Sequence, residues 1–272
     1  MKQPNLTLTL FCILVFGSCK KDEFNTKETF SFLFYPRECT QIITESMQNK
    51  QSFRTINGNT FEINIVEAIE GGSVEAKNYV LWLMTGADDL KLMKKDFPNV
   101  KNRNYEFLYQ DPLKERYNQL APSIPSLEKQ LEDDYRNSIS TCAASGKDGM
   151  AYAFINPWDY RVTGIKDFKI IALSPLFGQP AETSLNRFFS IHSFEPKQVI
   201  SYRTKKLLWG YSDKSNLENL QQWLSMEPMA PPAIMFRFNT VPREVPAEVK
   251  FVSILETTDG KMLKDTTFVK LR

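Results

Sequence analysis

The sequence predicts a β-rich α+β chain whose C-terminal part is an antiparallel β-sandwich of immunoglobulin-like type with inserted helices. Two observations carry this: apolar residues recur at every second position in several segments, and Asp259-Gly260 separates two such segments near the C-terminus. A third is that helical spacing appears only in a few short stretches.

Taken in order, Phe30 to Tyr35 alternates through Phe30, Phe32 and Phe34 and stops at Pro36, which reads as a first strand. Phe61 to Ile69 continues the period through Phe61, Ile63 and Ile65, and Lys77 to Thr85 has the density of a more buried strand. Asp88 and Asp89 then open a helical segment in which Leu90, Met93 and Phe97 share one face, with Lys94 and Lys95 at its end before Pro98. A second helix is predicted from Ser126 to about Ser138, capped by Ser126 and with Leu127 and Leu131 on one side. Ala143 to Gly149, with two glycines and small polar residues, marks a soft division. Beyond it, Met150 to Ile155, Ile165 to Leu173, Val199 to Tyr202 and Leu207 to Tyr211 read as strands. Asn216 to Leu224 reads as a helix whose capping box is Ser215 with Glu218. Ile234 to Phe238, Val249 to Thr257 and Met262 to Leu271 complete the strands, the last two joined by a tight turn at Asp259-Gly260. On that reading Val249, Phe251, Ser253 and Leu255 share one strand face, and Phe268 on the returning strand is buried against the same core.

The N-terminus follows different rules. Lys2 is the only charge before an apolar run from Leu6 to Phe16, interrupted by Thr7 and Thr9. The run is shorter than the roughly 20 residues a membrane-spanning helix needs, and it ends abruptly at Lys20, Lys21, Asp22 and Glu23, the shape of a signal peptide. Val15-Phe16-Gly17-Ser18-Cys19 resembles the lipobox of bacterial lipoproteins, with Phe16 where Leu, Val or Ile is usual. Cys12 is a poorer candidate because bulky Phe11 precedes it inside the apolar run. The resemblance implies cleavage before Cys19 and lipid on that cysteine, which anchors a chain without any spanning segment. Lys20 to Glu23 resembles the export signal of Bacteroidota surface lipoproteins, and reads equally as a solvated tether. The organisation expected is therefore a lipoprotein signal peptide at 1–18, a lipidated tether at 19–29, an N-terminal α+β region at 30–145 and a β-sandwich-like region at 146–272, the last two also compatible with one domain.

Cleavage would remove Lys2 and no acid, leaving 33 of the 34 basic residues against 32 acidic ones. That near-neutral balance, with no basic stripe, argues against a nucleic-acid partner, whose phosphates require concentrated positive charge. Of four cysteines, Cys39 and Cys142 remain for the folded part. Either they pair, closing a loop of about 100 residues with a stabilisation of roughly 4–5 kcal/mol, or they stay as buried thiols. Neither belongs to a Cys-x-x-Cys spacing.

The chemistry on offer is sparse. His192 is the only histidine, so a histidine metal cluster is impossible, and Ser190 and Ser193 beside it form no Gly-x-Ser-x-Gly elbow. No phosphate-binding glycine loop or calcium loop occurs, and no catalytic residue, metal ligand or cofactor is assigned. Paired carboxylates of a glycosidase require no sequence spacing and stay open. One segment stands out: Trp158, Asp159, Tyr160 and Arg161, between candidate strands, form either a loop able to grip a sugar or protein through its aromatics, or a plug in the core. The segment from Gly164 to Arg272 resembles the C-terminal part of uncharacterised Bacteroidota lipoprotein families, chiefly in Pro231-Pro232 and Thr258-Asp259-Gly260-Lys261. The resemblance implies an outer-membrane, lipid-anchored protein facing the periplasm or the cell surface, and it supplies no active site. The expected function is that of a lipid-anchored binding or scaffolding protein of the envelope whose partner is a glycan or another envelope protein. The alternatives are an exported carboxylate-dependent hydrolase and an assembly subunit of a surface fibre or complex.

Overall fold

Alternating apolar residues make strands where one face can be buried, and most of this chain follows that rule. The computed structural model describes residues 34–56, 58–86, 120–144, 158–195, 197–213 and 216–272. Its strands are β1 (Phe34–Arg37), β2 (Gln41–Ile56), β3 (Asn59–Ala68), β4 (Ser73–Val74), β5 (Tyr79–Gly86), β6 (Trp158–Arg161), β7 (Ile165–Ala172), β8 (Phe189–Glu195), β9 (Val199–Ile200), β10 (Leu207–Trp209), β11 (Ala233–Phe238), β12 (Ala247–Thr257) and β13 (Met262–Leu271). The helices are α1 (Pro125–Ala144) and α2 (Leu220–Ser225). Among the described residues no helix is long and apolar enough to cross a membrane. The fold is β-rich α+β.

A five-stranded sheet runs β3-β2-β5-β11-β8 and a four-stranded sheet runs β4-β13-β12-β7. The first is antiparallel throughout, and in the second only the short β4–β13 pair is parallel. All eight residues of β5 are buried, as its unbroken apolar run requires of a central strand. Tyr79, Leu81 and Leu83 of β5 share one core with Ile42, Phe236, Phe168, Phe251 and Leu255, so the two sheets enclose a common interior. Tyr79 stacks on Phe251 with ring centroids 5.5 Å apart, and Phe168 on Phe236 at 5.2 Å. The alternate residues Val80, Trp82 and Met84 form a second cluster with Ile43, Met47 and Ala233. Along one side the sheets are tied by side chains: the Thr44 backbone N–H donates to Asp265 Oδ2 at 2.6 Å, and the hydroxyls of Ser46 and Thr267 lie 3.0 Å apart.

Residues 146–272 do not form a sandwich by themselves. β2, β3 and β5 join β8 and β11 in one sheet, and β4 joins β7, β12 and β13 in the other. Residues 33–272 accordingly cluster as one unit. Strands expected at Lys77 to Thr85, Ile165 to Leu173, Ile234 to Phe238 and in the C-terminal hairpin are present within one or two residues, whereas β2 and β8 had no predicted counterpart. Strand β1 continues through Pro36, which the sequence reading took as its end; Pro36 pairs in parallel with Tyr160. Helix α2 starts later than predicted because the chain at 216–219 is held against β8, where the Ile191 N–H donates to the Glu218 carbonyl at 2.8 Å. Its cap is Asn219, whose side chain accepts the Gln222 N–H at 2.9 Å, while Glu218 pairs with Arg237. The predicted elements at 30–33, 88–97 and 150–155, the glycine-rich stretch at 145–149, Ser215 and the whole N-terminal leader with Cys19 lie outside the described residues.

Phe268 corrects the reading of the last hairpin. It is 53% exposed, while its neighbours Val269 and Leu271 are buried. A two-residue loop at Asp259-Gly260 would set Phe268 opposite Phe251, on the core face. The Thr257 N–H instead donates to the Lys261 carbonyl, so the loop holds Thr258, Asp259 and Gly260, and Phe268 stands opposite Lys250. One added loop residue exchanges the faces of the whole strand. Thr257 selects this longer loop: its hydroxyl donates to Asp259 and accepts the Lys261 N–H at 3.0 Å. Gly260 takes the left-handed conformation, φ +84°, that closes such three-residue loops. Gly260→Val should therefore destabilise the fold by about 1 kcal/mol or more and lower Tm by about 2–4 °C, read by circular-dichroism melting. An unchanged Tm would contradict the turn assignment.

Candidate binding groove

The segment from Trp158 to Arg161 is a strand and its polar groups are spent internally. Asp159 is 4% and Arg161 2% exposed. Arg161 pairs with Asp159 and donates through Nη2 to the Thr85 carbonyl at 2.6 Å, and Arg37 Nε lies 3.4 Å from the other Asp159 oxygen. The Thr85 hydroxyl in turn donates to the Pro231 carbonyl at 2.6 Å. The cluster thus ties β1 and β6 to the end of β5 and to the start of β11. Buried charges are tolerable only when paired, and here two guanidinium groups flank one carboxylate while Arg161 is also held by the Thr85 carbonyl. Tyr160 is buried as well; its hydroxyl donates to Glu128 at 2.7 Å and accepts the Ile124 N–H at 3.1 Å, fixing the start of α1. Burial, with Glu128 beside it, holds the Tyr160 hydroxyl protonated well above the usual tyrosine range. The side chain of Trp158 lies outside the described residues. The reading of Asp159, Tyr160 and Arg161 as part of a ligand-gripping loop is corrected: these three residues are buried in a strand that bridges three elements.

Cys39 is a buried free thiol, and burial pushes its pKa up to about 11. Its backbone N–H donates to the Thr163 hydroxyl at 2.9 Å. The side chain of Cys142 lies outside the described residues. His192 is the extra residue of a β-bulge in β8, where Met235 pairs with Ser193 and Phe236 with Ile191. The Ser193 hydroxyl lies 3.2 Å from the Met235 sulfur.

Open chemistry gathers elsewhere. Strands β7 and β8 are the edge strands of their sheets, and beside them runs a groove of about 780 Å³. Its walls come from β7 (Asp167, Lys169), the chain leading to β8 (Ser184, Asn186, Arg187), β8 itself (Phe189, Ser190), the start of α2 (Glu218 to Gln221) and Asn239. The edge of β7 is covered by that connecting chain: Leu185 N–H donates to the Ile170 carbonyl, while Asn186 accepts from Ile170 N–H and donates to the Phe168 carbonyl. Phe189 and Leu220 are almost fully buried and belong to the main core. Asp167 is held by Lys169 at 3.1 Å and Glu218 by Arg237 at 3.1 Å, while the Arg187 guanidinium lies 4.7 Å above the Phe188 ring.

Asp167, Lys169 and Glu218 are therefore matched by opposite charge and Arg187 rests on a ring, and the neutral groups are the ones left over. Asn219 uses its oxygen as a helix cap and Asn239 uses its nitrogen on the Arg187 carbonyl, leaving one end of each amide. Ser184, Ser190 and Gln221 make no side-chain hydrogen bond among the described residues, though all three line the groove. Hydroxyls and amides offer both donors and acceptors without net charge, the equipment for a neutral, hydroxyl-rich ligand. Sequence reading missed this site because its residues come from separate segments with no common spacing; the Asn219 cap was the only local signal. Compared with known proteins, the chain matches no family model, no curated protein and no solved structure.

Desolvation and the nearby Arg237 cation hold His192 below the ordinary histidine pKa, with Glu218 acting the other way. The unfolded chain therefore binds that proton more readily than the folded one. Stability should fall as pH drops through the ordinary histidine value near 6.5, and the loss should level off below the folded pKa. Replacing His192 by Gln should flatten the dependence of Tm on pH between about 7 and 5. An identical slope in wild type and variant would refute this assignment.

Proposed function

We propose that this chain is a lipid-anchored binding protein of the bacterial envelope, held at the outer membrane through Cys19, with the groove beside β7 and β8 as the binding site for a glycan. The observation that carries the binding reading is the set of unspent amide and hydroxyl groups of Ser184, Ser190, Asn219, Gln221 and Asn239 in one groove. The anchor reading rests on Val15 to Cys19 and on the polar turn that follows. The two sheets around one core, antiparallel but for the β4–β13 pair, support a sandwich frame akin to the immunoglobulin type. The carboxylates of Asp167 and Glu218, which both line the groove, are each ion-paired and part-exposed, which favours binding over acid catalysis.

Two measurements test the reading. Cys19→Ala should abolish acyl labelling and release the protein from membranes; a mature N-terminus that retains residues before Cys19 would defeat the anchor. On a glycan array, wild-type protein should bind a neutral oligosaccharide, and Ser190→Ala combined with Gln221→Ala should weaken that binding about tenfold, the loss of roughly one to two hydrogen bonds. Binding unaffected by the double substitution would move the site away from the groove.

A further inference from the structure

Strand β3 is ten residues long and forms one edge of the five-stranded sheet. That is long for an edge, since exposed edges are usually kept short or blunted by proline or lysine, and Asn59 to Ala68 contains neither. The direction of its backbone groups follows from the pairing. Ile56 pairs with Asn59, so two residues connect β2 to β3, and Gly58 there has φ +78°. In such a hairpin the closing pair is hydrogen-bonded and alternates with non-bonded pairs. Ile63 and Ile65 thus spend their N–H and C=O on β2, while Thr60, Glu62, Asn64 and Val66 direct theirs away from the sheet. The same alternation along β2 turns the Thr44 N–H outward, where it meets Asp265. No described residue donates to or accepts from the outward backbone groups of Thr60, Glu62, Asn64 or Val66. Ile65 is 39% exposed on this ribbon, and Phe53, across from Glu62, is 68% exposed.

We infer that the β3 edge is a self-association site that pairs antiparallel with the β3 edge of a second copy of this chain, about a two-fold axis at Asn64. In that register Asn64 meets its own counterpart, and Glu62 stands opposite Val66 in a hydrogen-bonded pair. Ile63 stands opposite Ile65 in the close, non-bonded pair, where apolar side chains approach most nearly. No carboxylate faces another directly, and Glu67 is already held by Lys50 at 3.1 Å. The contact is isologous, so it closes at a dimer and joins the two five-stranded sheets into one continuous sheet. A second copy fits because the register that matches the outward hydrogen-bonding groups also sets Ile63 against Ile65 and puts Glu62 against Val66 rather than against another carboxylate.

The test uses the full chain in mild detergent at micromolar concentration. Analytical ultracentrifugation should give twice the chain mass. Asn64→Pro removes only an outward N–H, and together with Ile65→Lys as an independent variant it should yield monomers with an unaltered circular-dichroism melt. Asn64→Cys should form an intermolecular disulfide under mild oxidation, because paired residues on the axis lie about 5.5 Å apart between Cα atoms, within disulfide range. Gln51→Cys on β2 should not. A monomeric wild-type chain, or a dimer that survives both Asn64→Pro and Ile65→Lys, would overturn the proposal.

Discussion

The aromatic contact between the two sheets is the constraint on which the other features rest. Tyr79 at the start of β5 stacks on Phe251 of β12, and Phe238 and Phe189 pack around the same rings. These side chains come from opposite ends of the chain, so the core exists only when both sheets are assembled. Once they are, β7 and β8 become edges and their connection must cross between the sheets. The groove is the space beside that crossing. Its polar walls include residues that serve the backbone, Asn186 with both ends of its amide on β7 and Asn219 with its oxygen on the first turn of α2.

Strand β5, strand β7 and the C-terminal hairpin were legible in the sequence because apolar density and alternation there are undisturbed. Strand β2 was not, although it is the longest: Gln48, Asn49, Lys50, Gln51 and Ser52 dilute its period where it runs past β5 and pairs, among the described residues, with β3 alone. The Asn57-Gly58 dipeptide ahead of β3 was a usable hairpin signal. Strand β8 escaped because the bulge at His192 breaks its alternation between Ile191 and Phe194. The groove was illegible for a different reason, since amides and serines scattered over more than fifty positions acquire meaning only when the chain is folded.

The buried cluster of Arg37, Asp159 and Arg161 shows how charged residues in a conspicuous motif mislead. Beside two aromatics they resembled a recognition loop, yet their neighbours in space are Thr85 and one another. An ion pair of this kind adds little net stability over a well-packed apolar substitute, but removing one member leaves an uncompensated charge inside. Its contribution is to specify one arrangement of β1 and β6 against β5. The Asp134 carboxylate does similar work at α1, accepting the backbone N–H groups of Tyr211 at 2.9 Å and Ser212 at 3.2 Å. A side chain at Gly210 would collide with that carboxylate, so glycine is required there.

The interleaving of strands has a kinetic consequence. β5 pairs with nearby β2 on one flank, but on the other with β11, whose residues come about 150 positions later in the chain. Until that segment is available, the most apolar strand of the protein presents an incomplete ladder and half its core side chains to solvent. Assembly of such non-local pairs is slow, because loop-closure entropy opposes each pairing before any packing compensates. A partly synthesised chain therefore lacks the partner that completes its central ladder until its last strands arrive.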